Sequence, residues 1–202
     1  MTHTTAGTLV GTLAARTDMS RAIRIAAVLF VATLTAVAAQ VSIHLPFTPV
    51  PLTLQPMVVL LGGAALGSRL GAAAQIVYLA AGIAGFPVFA ASTVLPPGPL
   101  RLIGPTGGYL LSYPIAAFIT GYLAERGFDR RYLTSVLAMA AGLVVIFACG
   151  VTWLAWFARP AAAGLEAAVR TGFLAFLPVD IYKILVAAAI LPAAWRFGGV
   201  DR

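Results

Sequence analysis

Apolar residues run through this chain in long blocks, with polar residues gathered in the gaps between them. The first block, from about Ala22 to Ile43, is long enough to cross a hydrocarbon core of roughly 30 Å as a helix. The stretch His44 to Gln55 then carries Pro46, Pro49 and Pro51, and proline both removes a helix donor and clashes with the preceding turn. It is apolar and not helical, and such backbone is tolerated at membrane depth only where protein or a cavity covers it. A shorter apolar segment from Pro56 to Gly67 and a third from Leu70 to Ile83 follow, separated by Gly67-Ser68-Arg69. Both are rich in Gly and Ala, which predicts close helix packing.

The longest irregular stretch is 85–108, with Leu95-Pro-Pro-Gly-Pro99 and Gly104-Pro-Thr-Gly-Gly108; a loop of that length in a compact protein is usually functional. A fourth span covers about Tyr109 to Leu123 and ends at the charged stretch 125–131. The fifth runs from Leu133 to Phe157, with Trp153 and Trp156 where an aromatic belt would lie. A polar, Ala-rich connection from Arg159 to Arg170 leads to the sixth, about Gly172 to Trp195, closed by Trp195 and Arg196 as interfacial anchors. The pattern predicts an all-α integral membrane protein of six transmembrane helices, as one domain over 21–198 behind a flexible tail of 1–20. Arg21 and Arg24 before an apolar run also fit a secretory signal, but the run continues to Ile43, the length of a true span.

Composition narrows the class. Of 202 residues, 61% are hydrophobic and only 9% charged, which excludes an ordinary soluble domain. The net charge of +7 raises the question of nucleic acid, yet the arginines sit at the ends of apolar runs and form no basic stripe. With six spans both termini share a side, where nine arginines fall, against Arg101, Arg159 and Arg170 on the other. By the positive-inside rule both termini are cytoplasmic and the chain is a multi-pass cell-membrane protein. The Pro/Gly-rich loops then lie outside, together with the start of the sixth span.

In that span stand Asp180 and Lys183, the only lysine of the chain. Three residues apart, they share a helix face. A charge near the bilayer centre costs roughly 3 kcal/mol on insertion scales, so the pair must face protein or ligand. The residues alone leave two readings open: a structural ion pair, or a site in which Lys183 holds an anion while Asp180 accepts N–H donors. Gln55 ends the first outer loop and suits a ligand contact, whereas Gln75, mid-span among small residues, suits a bond between helices. Arg101 is a second anion candidate, against the plainer reading of a solvated loop arginine. Phe47, Phe89, Tyr109 and Tyr182 are candidates for an apolar wall. Ala22, Ala26, Ala32 and Ala36 form small-xxx-small pairs, read equally as close packing or a docking face. His3, His44 and Cys149 make no nucleophile or metal constellation, so no enzyme and no cofactor is expected.

Pro49-Val-Pro-Leu-Thr-Leu-Gln55, Gln75-Ile-Val-Tyr-Leu-Ala-Ala-Gly-Ile-Ala-Gly-Phe-Pro-Val-Phe-Ala90, Gly104-Pro-Thr-Gly-Gly-Tyr109 and Asp180-Ile-Tyr-Lys183 resemble, in order, the motifs of the BioY family. These are the biotin-binding S components of energy-coupling factor transporters, and the resemblance covers about 20–195. It implies a six-helix subunit that captures biotin at the outer face and works with a transmembrane T component and two ATPase subunits. It also implies that Asp180 and Lys183 contact biotin, with Ser92 standing where the family has an amide ligand, and that Ala32 and Ala36 dock the T component. The rivals are a self-sufficient ion-coupled secondary transporter of biotin or a similar small carboxylate, an intramembrane enzyme on a lipid-like substrate, and a structural membrane subunit.

Overall fold

The computed structural model describes residues 8, 20–92, 95–96, 98–158 and 163–197. The architecture is helical: α1 (Ser20–Gln40), α2 (Gln55–Leu66), α3 (Ser68–Ile83), α4 (Leu100–Ile103), α5 (Gly107–Ala124), α6 (Tyr132–Trp156), α7 (Leu165–Val169), a π-helical turn (Arg170–Leu174) and α8 (Leu177–Phe197). Three stretches are long and apolar enough to cross a membrane: Arg21–Gln40, Tyr132–Trp156 and Leu165–Arg196. At 12 residues, α2 is about 18 Å long, too short to span alone.

The proline-rich segment before α2 departs from the all-helical expectation. Ser42–Ile43 (β1) and Leu52–Thr53 (β2) pair antiparallel, with Ser42 opposite Thr53, so the proline-bearing residues between them form a closed loop. Within 85–108 lies α4, and the connection after α6 holds α7.

Glycines set the helix spacing. A Cβ on Gly63 would lie 2.5 Å from the Ala117 carbonyl oxygen of α5, and one on Gly71 would lie 2.7 Å from the Cα of Gly63. Contacts this close bring α2, α3 and α5 together without large side chains between them. Gln75 is fully buried and donates to Thr35 Oγ1 at 3.3 Å, the expected bond between helices.

The molecule has two unlike ends. At one, Gly67 (φ 88°) turns the chain between α2 and α3, and the Glu125 carboxylate accepts from the Ser68 amide at 2.8 Å and from its hydroxyl at 2.9 Å. Thr8 is buried there against Leu66; the expected flexible tail, with His3, Arg16 and the rest of residues 1–19, otherwise lies outside the described residues, as do Arg159 and Arg202. Trp195 is buried too, donating to Asp129 Oδ2 at 2.7 Å instead of anchoring an interface. At the other end the β1–β2 loop, the 84–106 connection and the start of α8 converge, as the alternation of spans predicts.

Candidate functional site

The site is built on the first two turns of α8. Pro178 lies in the first turn, where helical N–H groups have no partner within the helix, so its missing donor is harmless. Asp180 in the same turn benefits from the positive end of the helix dipole. Asp180 and Lys183 are 4% and 6% exposed, and Lys183 Nζ lies 2.7 Å from Asp180 Oδ1. The ammonium also donates to the Thr53 carbonyl at 2.5 Å. The buried charge thus holds the folded base of the proline loop to α8, and the acid and the base pair with each other.

A hydrogen-bonded chain continues outward from Thr53. Its hydroxyl donates to Gln55 Oε1 at 3.4 Å, Gln55 Nε2 donates to the Tyr78 hydroxyl at 2.6 Å, and Tyr78 donates to the Val88 carbonyl at 3.3 Å. The next residue, Phe89, meets the Tyr78 ring edge-on at 5.5 Å. Gly82 makes room for it, since a Cβ there would fall 2.0 Å from the Phe89 ring. On the opposite wall the Tyr109 hydroxyl donates to the Gly172 carbonyl at 2.7 Å, and Gly150 leaves space for its ring. Gly172 lies in the π turn, whose wider winding disturbs the usual pairing of carbonyls and lets a side chain serve one.

Between these walls lies a narrow cavity of about 50 Å³, small beside the roughly 300–1,000 Å³ of typical small-molecule sites. Val50, Thr53, Phe147 and Phe176 line it together with Gln55, Phe89, Tyr109, Asp180 and Lys183, so five sequence-predicted residues meet in one place. The 84–106 connection forms part of the roof, tied to the first loop by Gln40 Nε2 donating to the Pro87 carbonyl at 3.3 Å and by His44 Nε2 bonding the Ala91 carbonyl at 3.0 Å.

The other candidates lie elsewhere. Tyr182 is 68% exposed and lines no part of the cavity; it stands one residue before Lys183, about 100° round the helix. Ser92 is not a lining residue either: its hydroxyl accepts the Leu95 amide at 3.3 Å and shapes the loop. Phe47 is exposed. Arg101 is neither solvated nor in the cavity; 6% exposed, it donates to the carbonyls of Pro96 and Ala90, both at 2.9 Å, and burial lowers its pKa. It braces the roof. Ala32 is buried in the core and Ala36 packs against it, so the chain's own helices cover both; Ala22 and Ala26 are the exposed pair on α1. Sequence reasoning missed Tyr113, which lines the cavity; it stands four residues after Tyr109, hence on the same face of α5.

The 2.7 Å separation also revises how the pair is read. Two groups this close serve one end of a ligand, not two. A formally neutral pair repels an anion at Asp180 about as much as it attracts one at Lys183. A neutral group with N–H donors beside a carbonyl acceptor matches both.

Comparisons with known proteins bear on the family and the fold. A model described as the BioY family matches residues 6–199. The chain is 43% identical over 162 residues to the probable biotin transporter BioY of Pyrococcus horikoshii, covering 80% of this chain and 89% of that one. The biotin transporters BioY of Thermotoga maritima and Rhizobium etli are 37% and 36% identical, covering 73% and 80% of this chain and 82% and 87% of theirs. A crystal structure of the S component for biotin from an ECF-type ABC transporter superposes with a TM-score of 0.79 at 21% identity, covering 89% of this chain and 94% of that one. At that identity the likeness is one of fold.

Proposed function

Because the chain belongs to the BioY family, we propose that it is the membrane-embedded biotin-binding subunit of an ATP-driven uptake transporter, not an enzyme. It captures biotin at the outer face and works with a transmembrane T component and two ATPase subunits. The observation that carries this reading is the largely apolar cavity with one buried Asp180–Lys183 pair on its wall. Biotin joins a cyclic urea to a carboxylate through a bicyclic ring and a four-carbon chain, so its two ends cannot both sit on groups 2.7 Å apart. In this reading the urea takes the pair: its N–H groups donate to Asp180, and its carbonyl accepts from Lys183. The apolar rings and chain lie against Phe89, Tyr109 and Phe176.

The orientation follows the same logic. Six membrane crossings, counting the short α2 with its proline loop, put both termini in the cytoplasm of a cell-membrane protein. Arg69, Arg126, Arg130, Arg131 and Arg196 belong to the Gly67 end, and Arg101 and Arg170 to the cavity end. That supports a cavity facing outward. An exposed face of α1, carrying Ala22, Ala26 and Phe30, offers one surface for a partner helix.

Titrating biotin into the purified chain tests the binding role. Uptake in cells lacking every coupling-factor ATPase tests the transport role: none is expected, and uptake abolished by a protonophore would favour the ion-coupled rival instead.

A further inference from the structure

We propose that the hydroxyl of Tyr113 is the third polar contact to the ligand, donating to the urea carbonyl beside Lys183; this rests on the biotin reading above. Tyr113 is 3% exposed and lines the cavity. Among the described residues its hydroxyl has no hydrogen-bond partner, and it is not one of the fully enclosed unpartnered atoms, in contrast to the bonded hydroxyls of its neighbours. Tyr109 is bonded to Gly172, and Tyr78 to Gln55 and Val88. Where the cavity needs only an apolar ring the chain uses Phe89, Phe147 and Phe176. A phenol at 113 therefore adds a donor that the fold leaves unused, and buried polar groups are nearly always bonded in the working state.

Depth places that donor. Helices α5 and α8 both begin at the cavity end, and Tyr113 and Lys183 each stand six residues past the first residue of their helix, about 9 Å in at 1.5 Å per residue. The two residues thus stand equally far along their helices, and both line the cavity. A urea oxygen has two lone pairs, so one can accept from Lys183 and the other from Tyr113. The same arrangement rejects a ring lacking that carbonyl, because two buried donors would then lose their acceptor.

The test is a calorimetric titration of wild type and Tyr113→Phe with biotin and with biotin methyl ester, alongside thermal unfolding of both ligand-free proteins. The expected result is an affinity for biotin lower by about tenfold, the size of one net hydrogen bond, and the same factor for the ester. Ligand-free Tyr113→Phe unfolds at or above the wild-type temperature, since no bond is lost. Wild-type affinity in the variant would overturn the proposal and leave the biotin reading intact. A penalty seen with biotin but absent with the ester would move the hydroxyl to the carboxylate and overturn the urea contact. A lowered unfolding temperature with equal affinity would make Tyr113 structural. Failure of the wild-type protein to bind biotin would overturn the biotin reading, and this proposal with it.

Discussion

The two ends of the molecule bury acids of the same kind under different terms. At the Gly67 end, Glu125 closes on the first residue of α3, and Asp129 accepts from Trp195 in packed surroundings. At the cavity end, Asp180 shares one oxygen with Lys183 and lines open space with the rest of its side chain. The first end only joins elements; the second joins Thr53 to α8 through Lys183 and also lines the cavity. A buried charge is therefore informative about function only together with what its remaining lone pairs and protons face.

Substitutions can separate the two ends. The largest effect expected is at the pair: Asp180→Ala leaves a buried ammonium with only the Thr53 carbonyl, an uncompensated charge worth about 3 kcal/mol or more. Biotin affinity should fall by at least about a hundredfold in a titration, and a smaller loss would mean that the pair is structural. Next is Gly150→Ala, whose new methyl would fall 2.2 Å from the Tyr109 ring. Overpacking of this kind costs about 1–3 kcal/mol, so both unfolding temperature and affinity should drop.

Glu125→Ala acts at the other end. It removes the cap from Ser68, worth about 1 kcal/mol, and should lower the unfolding temperature while biotin affinity stays unchanged; a parallel loss of affinity would join the two ends. The smallest effect is at Asp129. Burial raises its carboxyl pKa above the ordinary value, partly offset by the Trp195 hydrogen bond. The folded state therefore holds this proton more tightly than the unfolded state, so the contribution to stability is full below the ordinary carboxyl range and is lost as pH rises through the raised value. Asp129→Asn should flatten that decline in unfolding temperature and leave the protein at least as stable at neutral pH. A steeper decline would mean that Asp129 is held as an anion.

What the sequence made legible follows from how local each signal is. Helices and their breaks at Gly67 and Pro46–Pro51 were readable because hydrophobic length and proline act within a few residues. Asp180 and Lys183 were readable because a charge in an apolar run is costly wherever its partner lies. The Thr53 carbonyl was not, since any residue carries one and only the β1–β2 pairing aims it at Lys183. Ser92 and Tyr182 failed for the opposite reason: nearness in sequence to a motif does not decide which way a side chain turns. Ala32 and Ala36 show the same limit, since among many alanines only the fold tells the covered face of α1 from the open one.

The most direct measurement is an equilibrium titration of biotin into the purified chain, without any partner subunit, for wild type and Lys183→Ala. The account predicts one saturable site in the wild type and an affinity lower by at least about a hundredfold in the variant. Equal affinities in the two proteins would contradict it.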